Sequence, residues 1–133
     1  MVNQEAARIV LKRKLKRLIR TSDLLLLKTP RNLVDYHEVS ELKIQKIKFQ
    51  LKLNSLLAEE ANDGAERKKL DDERKALQAS LTDELKNGVE IMDWLSANLK
   101  QRGIKDMAED LEILRDVRQN ELEELTGGTA GEG

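Results

Sequence analysis

One unbroken apolar stripe constrains this chain more than anything else in it. Leu70, Leu77, Leu81, Leu85, Val89, Met92, Leu95 and Leu99 recur at steps of three, four or seven, among residues that are mostly charged or polar. At 3.6 residues per turn all eight fall on one side of a helix, whereas a half-buried strand would need alternation by two. Only 2% of residues are aromatic, and the chain holds a single Pro. Leu, Ala, Glu, Lys and Arg, the strong helix formers, dominate, while the β-branched and aromatic residues of a sandwich are scarce. The expected fold is all-α: an elongated helical bundle or antiparallel coiled-coil hairpin of about four helices. Its 133 residues suffice for one domain, assigned to residues 1–126. With so few aromatic side chains the core is thin, which favours helices that share burial with another chain.

Local signals divide the domain. A basic N-terminal helix is expected over residues 4–28, with Ala7, Val10, Leu11, Leu15, Leu18 and Ile19 along one side. Thr21-Ser22-Asp23 is a place where it can break, because short polar side chains there compete for backbone groups. Thr29-Pro30 reads as the start of the next helix, with Thr29 as cap and Pro30 in the first turn. A central hairpin then spans 30–102. Its turn falls at Asn62-Asp63-Gly64, where Asp63 and Glu66 match a capping box. Residues 44–57 also alternate in places, but without Gly, Pro or a partner strand they are assigned to helix. Asn87-Gly88 favours a turn, yet the apolar phase runs straight across it. Gly103 is a good stop, and an acidic C-terminal helix follows over 105–125, with Met107, Leu111, Leu114, Leu122 and Leu125 inward. Arg118 and Glu121 interrupt that stripe, so its last turns are expected to be exposed or packed in a partner. The Gly-rich tail 127–133 has nothing to pack and is expected to be flexible.

Charge is distributed as unevenly as hydrophobicity. Between Ala6 and Ser22 there is no acidic residue, while Arg8, Lys12, Arg13, Lys14, Lys16, Arg17 and Arg20 are all basic. From Asn87 to Gly133 eleven acidic side chains face five basic ones, so the formal net charge of −1 conceals a dipolar molecule. Opposed charge blocks of this kind mark surfaces that recognise phosphate, a membrane, a partner or another copy.

Catalytic constellations are missing. With no Cys there is no disulfide, thiol nucleophile or cysteine metal site. His37, the one histidine, lies in Asp35-Tyr36-His37-Glu38 and reads as a surface residue rather than a general base or ligand. No Glu-x-x-His pair of the di-iron type occurs. The acidic groups Glu59-Glu60, Asp71-Asp72-Glu73 and Glu121-Glu123-Glu124 sit beside Lys or Arg or at helix ends, as solvated faces do. No calcium loop, nucleophile elbow or phosphate-binding loop is present. No catalytic residue, cofactor, metal or small-molecule substrate is therefore expected. The first residues are polar and Leu24–Leu27 is far too short to span a bilayer, so neither a secretory leader nor a membrane span is expected.

The favoured function is that of a non-enzymatic adaptor, scaffold or structural subunit. It would dock into a larger assembly, such as a viral or phage particle, or onto copies of itself. The docking residues are Arg8, Lys12, Arg13, Lys16, Arg17 and Arg20, with Leu11, Leu15, Leu18 and Trp94 as apolar contacts; Trp94 lies off the main stripe and reads first as core, second as an interface anchor. The alternative is a small nucleic-acid-binding regulator that sets the basic helix 8–20 on phosphate; without interleaved aromatics or a recognition-helix turn that signal is weak. A membrane-surface role ranks lower, since no Trp or Phe lies on the helix. The expected location is cytoplasmic or within a macromolecular particle.

Overall fold

The computed structural model describes residues 2–127. They form four helices in chain order: α1 (Val2–Leu25), α2 (Leu33–Glu60), α3 (Gly64–Gln101) and α4 (Lys105–Leu125). No strand occurs among the described residues. The flexible tail expected at 127–133 lies, apart from Gly127, outside them.

Short-range chemistry explains the boundaries. Ser22 does not break α1, because its hydroxyl donates to the Leu18 carbonyl at 2.8 Å and is satisfied inside the helix. The start of α2 differs from expectation: Asn32, not Thr29, is the cap. Asn32 Oδ1 accepts from the Asp35 N–H at 2.9 Å, and the Asp35 carboxylate accepts from the Arg31 N–H at 3.1 Å. This reciprocal arrangement satisfies two backbone donors and leaves Thr29-Pro30 in the connection. Asp63 caps α3, accepting from the Ala65 N–H at 2.9 Å. At the far end Gly103 has φ +79°. Its N–H donates to Lys100 and that of Ile104 to Leu99, the paired bonds of a Schellman stop that glycine adopts without strain.

Asn87-Gly88 neither stops nor turns α3. Gly88 is buried where α2 crosses. A Cβ there would lie 3.0 Å from Ser40 Oγ and 3.6 Å from Ile44 Cδ1, so the missing side chain lets the two helices approach.

Packing follows the chain. α2 and α3 form an antiparallel hairpin, α4 returns along α3, and α1 lies along α2 alone. At 1.5 Å per residue α3 is about 57 Å long, enough for different neighbours along its length. Its C-terminal half meets α2 and α4 together. There Ile44, Leu81, Leu85 and Leu122 bury one cluster, and Leu95, Leu99 and Ala108 a second that Leu33 and Leu111 cover. The N-terminal half of α3 has only α2 beside it, with α1 beyond.

Three expectations about the core fail. Trp94 is 56% exposed, because the side of α3 that carries it faces away from α4 and only edges α2. Arg118 is buried rather than exposed, since α4 turns it toward α2 and supplies it with acids. Met107 and Leu125, read as inward, lie near the ends of α4 and remain exposed.

Candidate functional site

The basic helix is anchored by a minority of its cations. Arg8 pairs with Glu59, and Lys12 with Glu60 at 2.7 Å, at the C-terminal end of α2. Asp23 pairs with Lys46. These bridges run antiparallel along the α1–α2 seam. Leu15 is buried, and Leu11 and Leu18 are half-buried toward α2, the only helix that α1 approaches. The three leucines named as interface residues therefore hold α1 to its own chain.

The opposite side of α1 faces solvent. Arg13, Lys14, Lys16, Arg17 and Arg20 are exposed, and among the described residues no carboxylate lies within ion-pair distance of them. Val10 and Leu24, more than 60% exposed, bracket this cation row. Steps of three or four residues, about one turn each, separate the members, so Val10, Arg13, Arg17, Arg20 and Leu24 form a line down the helix. Five like charges within about 11 Å of helix create a strong local field.

Between α1, α2 and α3 runs a groove of about 530 Å³. Ile19, Leu53, Leu57 and Leu77 form its apolar floor, with Lys16 on one rim and Glu73 on the other. It exists because α1 does not reach α3. A second recess of about 510 Å³ sits at the other end, where Tyr36 and Trp94 stand over Leu33, Ile91 and the α1–α2 connection. Trp94 thus ends on an aromatic shelf remote from the basic row, so the sequence-selected residues split between two places.

The outward side of α4 is the electrostatic opposite of α1. Asp106, Glu109, Asp110, Glu123 and Glu124 are exposed there without a Lys or Arg partner among the described residues; Asp116 meets only its neighbour Arg115, at 3.3 Å. Ile113 and Val117 are exposed among them.

The inward side of α4 holds a polar cluster that the sequence concealed. Arg118 donates through Nε to Glu41 at 2.9 Å and through Nη1 to Glu121 at 2.6 Å, and its Nη2 also donates to Glu41. Lys48 donates to Glu121 as well. The paired carboxylate of Glu41, then that of Glu121, raises the Arg118 pKa and keeps it charged despite burial. Burial alone would raise the Glu121 carboxyl, but donation from Lys48 and Arg118 outweighs it and holds it below its ordinary value. The spacing of Arg118 and Glu121 on one side of α4, and of Glu41 and Lys48 on one side of α2, was visible in the sequence. That the two pairs meet was not, because 77 residues separate Arg118 from Glu41.

The other candidates for chemistry are dispersed. Asp71 is drawn below its ordinary value by hydrogen bonds from Arg74 and then Lys75, on an open surface. His37 Nδ1 is buried without a hydrogen-bond partner. Among the described residues, no three His, Asp or Glu side chains come together as a metal-ligand set, and no helix is long and apolar enough to cross a membrane.

Fold and surface together define a class: a four-helix all-α domain with one cationic and one anionic flank. Comparison with family models, with curated proteins and with solved structures yields no match to this chain.

Proposed function

We propose that the chain is a non-enzymatic docking module, an adaptor or structural subunit whose outward α1 face binds an acidic protein surface. The observation that carries this reading is the row Arg13, Arg17 and Arg20. Its charges have no intramolecular partner among the described residues, and Val10 and Leu24 lie in line with them. A purely solvated face would gain nothing from apolar residues at both ends of a cation row. A face that binds single-stranded nucleic acid carries aromatic residues between its cations for base stacking, and this row has none. Such a module acts inside a cell or within a macromolecular particle, a viral or phage particle being one setting of that kind.

The test compares the native chain with Arg13→Glu/Arg17→Glu/Arg20→Glu. A generic duplex is titrated into both at low and moderate salt, and both are cross-linked in extracts of the source cell. The reading expects no duplex binding by the native chain, and a cross-linked protein that the triple variant loses. Duplex binding that falls steeply with salt and vanishes in the variant would sink it in favour of a nucleic-acid regulator.

A further inference from the structure

The acidic counterpart of α1 is present in the chain itself, on a helix that α1 does not touch. Resting on the docking reading above, we infer that a second copy supplies it: the outward row of α4 in one copy seats against the outward row of α1 in the next.

Matching residues support this pairing. Every helix has an outward line at steps of three and four, so the spacing itself means little; its occupants matter. On α1 the line reads Val10, Arg13, Arg17, Arg20 and Leu24. On α4 it reads Glu109, Ile113, Asp116, Asn120 and Glu123. Laid antiparallel, Leu24 falls opposite Ile113, Arg20 opposite Asp116, Arg17 opposite Asn120 and Arg13 opposite Glu123. Leu24 and Ile113, 63% and 65% exposed, would cover each other. Each cation meets an anion or an amide, and no like charges oppose in that register. Across an interface, complementary charge of this kind fixes register and suppresses wrong partners.

The fold prevents the same pairing within one copy. α1 lies along α2, its ion pairs running from Glu59 and Glu60 to Lys46. α4 lies along the C-terminal half of α3, tied there by Arg115 to Asp93 at 3.0 Å and Lys100 to Glu112 at 2.8 Å. Neither flank approaches the other. The two patches differ, so the contact is heterologous and each copy offers one of each. Association then proceeds by closure into a ring or reciprocal pair, or by open growth. Exposed ion pairs are screened by salt, so association weakens as ionic strength rises.

Charge reversal in trans tests this directly. One full-length variant carries Asp116→Arg/Glu123→Arg, and so has basic residues at the positions facing Arg20 and Arg13 as well as on α1. The other carries Arg13→Glu/Arg20→Glu, and so has an acidic row on each. Among the described residues none of the four takes part in an ion pair between helices, Asp116 meeting only its neighbour Arg115, and circular dichroism with thermal melting verifies that each variant folds. Sedimentation equilibrium at low salt should show concentration-dependent association of the native chain. Each variant alone should weaken it by more than tenfold, and an equimolar mixture of the two should restore it, because positions 13 and 20 of one variant again face opposite charges at 123 and 116 of the other. Trp94→Ala should leave it unchanged. A native chain that stays monomeric at all concentrations, association indifferent to both reversals, or a mixture no better than its components would each overturn the proposal. In the first case, a cross-linked partner lost from the triple-Glu variant would still support docking on another protein, whereas duplex binding would remove both readings.

Discussion

The two ends of the hairpin are built from the same helices and held in different ways. Where α4 is present, three helices enclose Ile44, Leu85, Met92 and Ala108, each with no exposed surface. The Arg118 cluster ties α2 to α4 across the top of that core. Where α1 replaces α4, the helices stand side by side rather than around a centre. The apolar groove stays open, and three ion pairs with partly exposed partners join α1 to α2 beside the buried Leu15. Exposed ion pairs contribute about 0–1 kcal/mol each, whereas burying a large aliphatic side chain contributes about 1.5–3 kcal/mol. Stability should therefore reside in the α4 end, and surface available to partners in the α1 end.

The most damaging way to break this contrast is in the closed core. Leu85→Ala should cost about 2–5 kcal/mol, read as a lower denaturant midpoint, whereas Leu57→Ala on the open groove should cost clearly less. Equal losses would mean that the two ends are packed alike.

Arg118→Ala should follow. It leaves Glu41 facing Glu121 without the guanidinium between them, and because both acids retain some solvent the cost is about 2–3 kcal/mol rather than the upper range for buried pairs. Arg118→Met, which fills the space without charge, should recover part of the stability of Glu41→Gln/Glu121→Gln chains when combined with them.

Acid sharpens the same comparison. The folded state holds Glu121 below its ordinary pKa, so its contribution is fully present above the unfolded value and is lost as pH falls through the folded one. Urea midpoints should decline between about pH 5 and pH 3, and Glu121→Gln should flatten that decline. An unchanged slope would show that Glu121 takes no part in it.

The smallest effect should come from the open end. Arg8→Ala/Lys12→Ala removes partners of Glu59 and Glu60 and should shift the global midpoint by less than about 1 kcal/mol per pair. Amide exchange in α1 should nevertheless quicken, while α3 around Leu85 stays protected. Protection lost equally in both helices would refute the view that α1 is the weakly held element.

Much of this architecture could be read before any coordinates. The α3 stripe from Leu70 to Leu99 is buried, with Leu77 half-buried, because one helix face repeats wherever the helix goes. The Asp63 cap and the Gly103 stop also hold, because each depends on backbone groups within a few residues. The start of α2 is misplaced at that range: Thr29 reads as the cap, but the exchange among Arg31, Asn32 and Asp35 sets it at Asn32.

Residue type and helical periodicity thus determined, from the sequence alone, four helices, their apolar faces and their opposite flanking charges. Tertiary structure decided which side of α3 would be covered, and so left Trp94 in solvent while enclosing Arg118. It also decided which cations on α1 would find carboxylates 48 and 51 residues away and which would face outward. The physical reason is range: caps and stripes arise from neighbours along the chain. Burial of a given face, and neutralisation of a given charge, depend on which helix returns beside it.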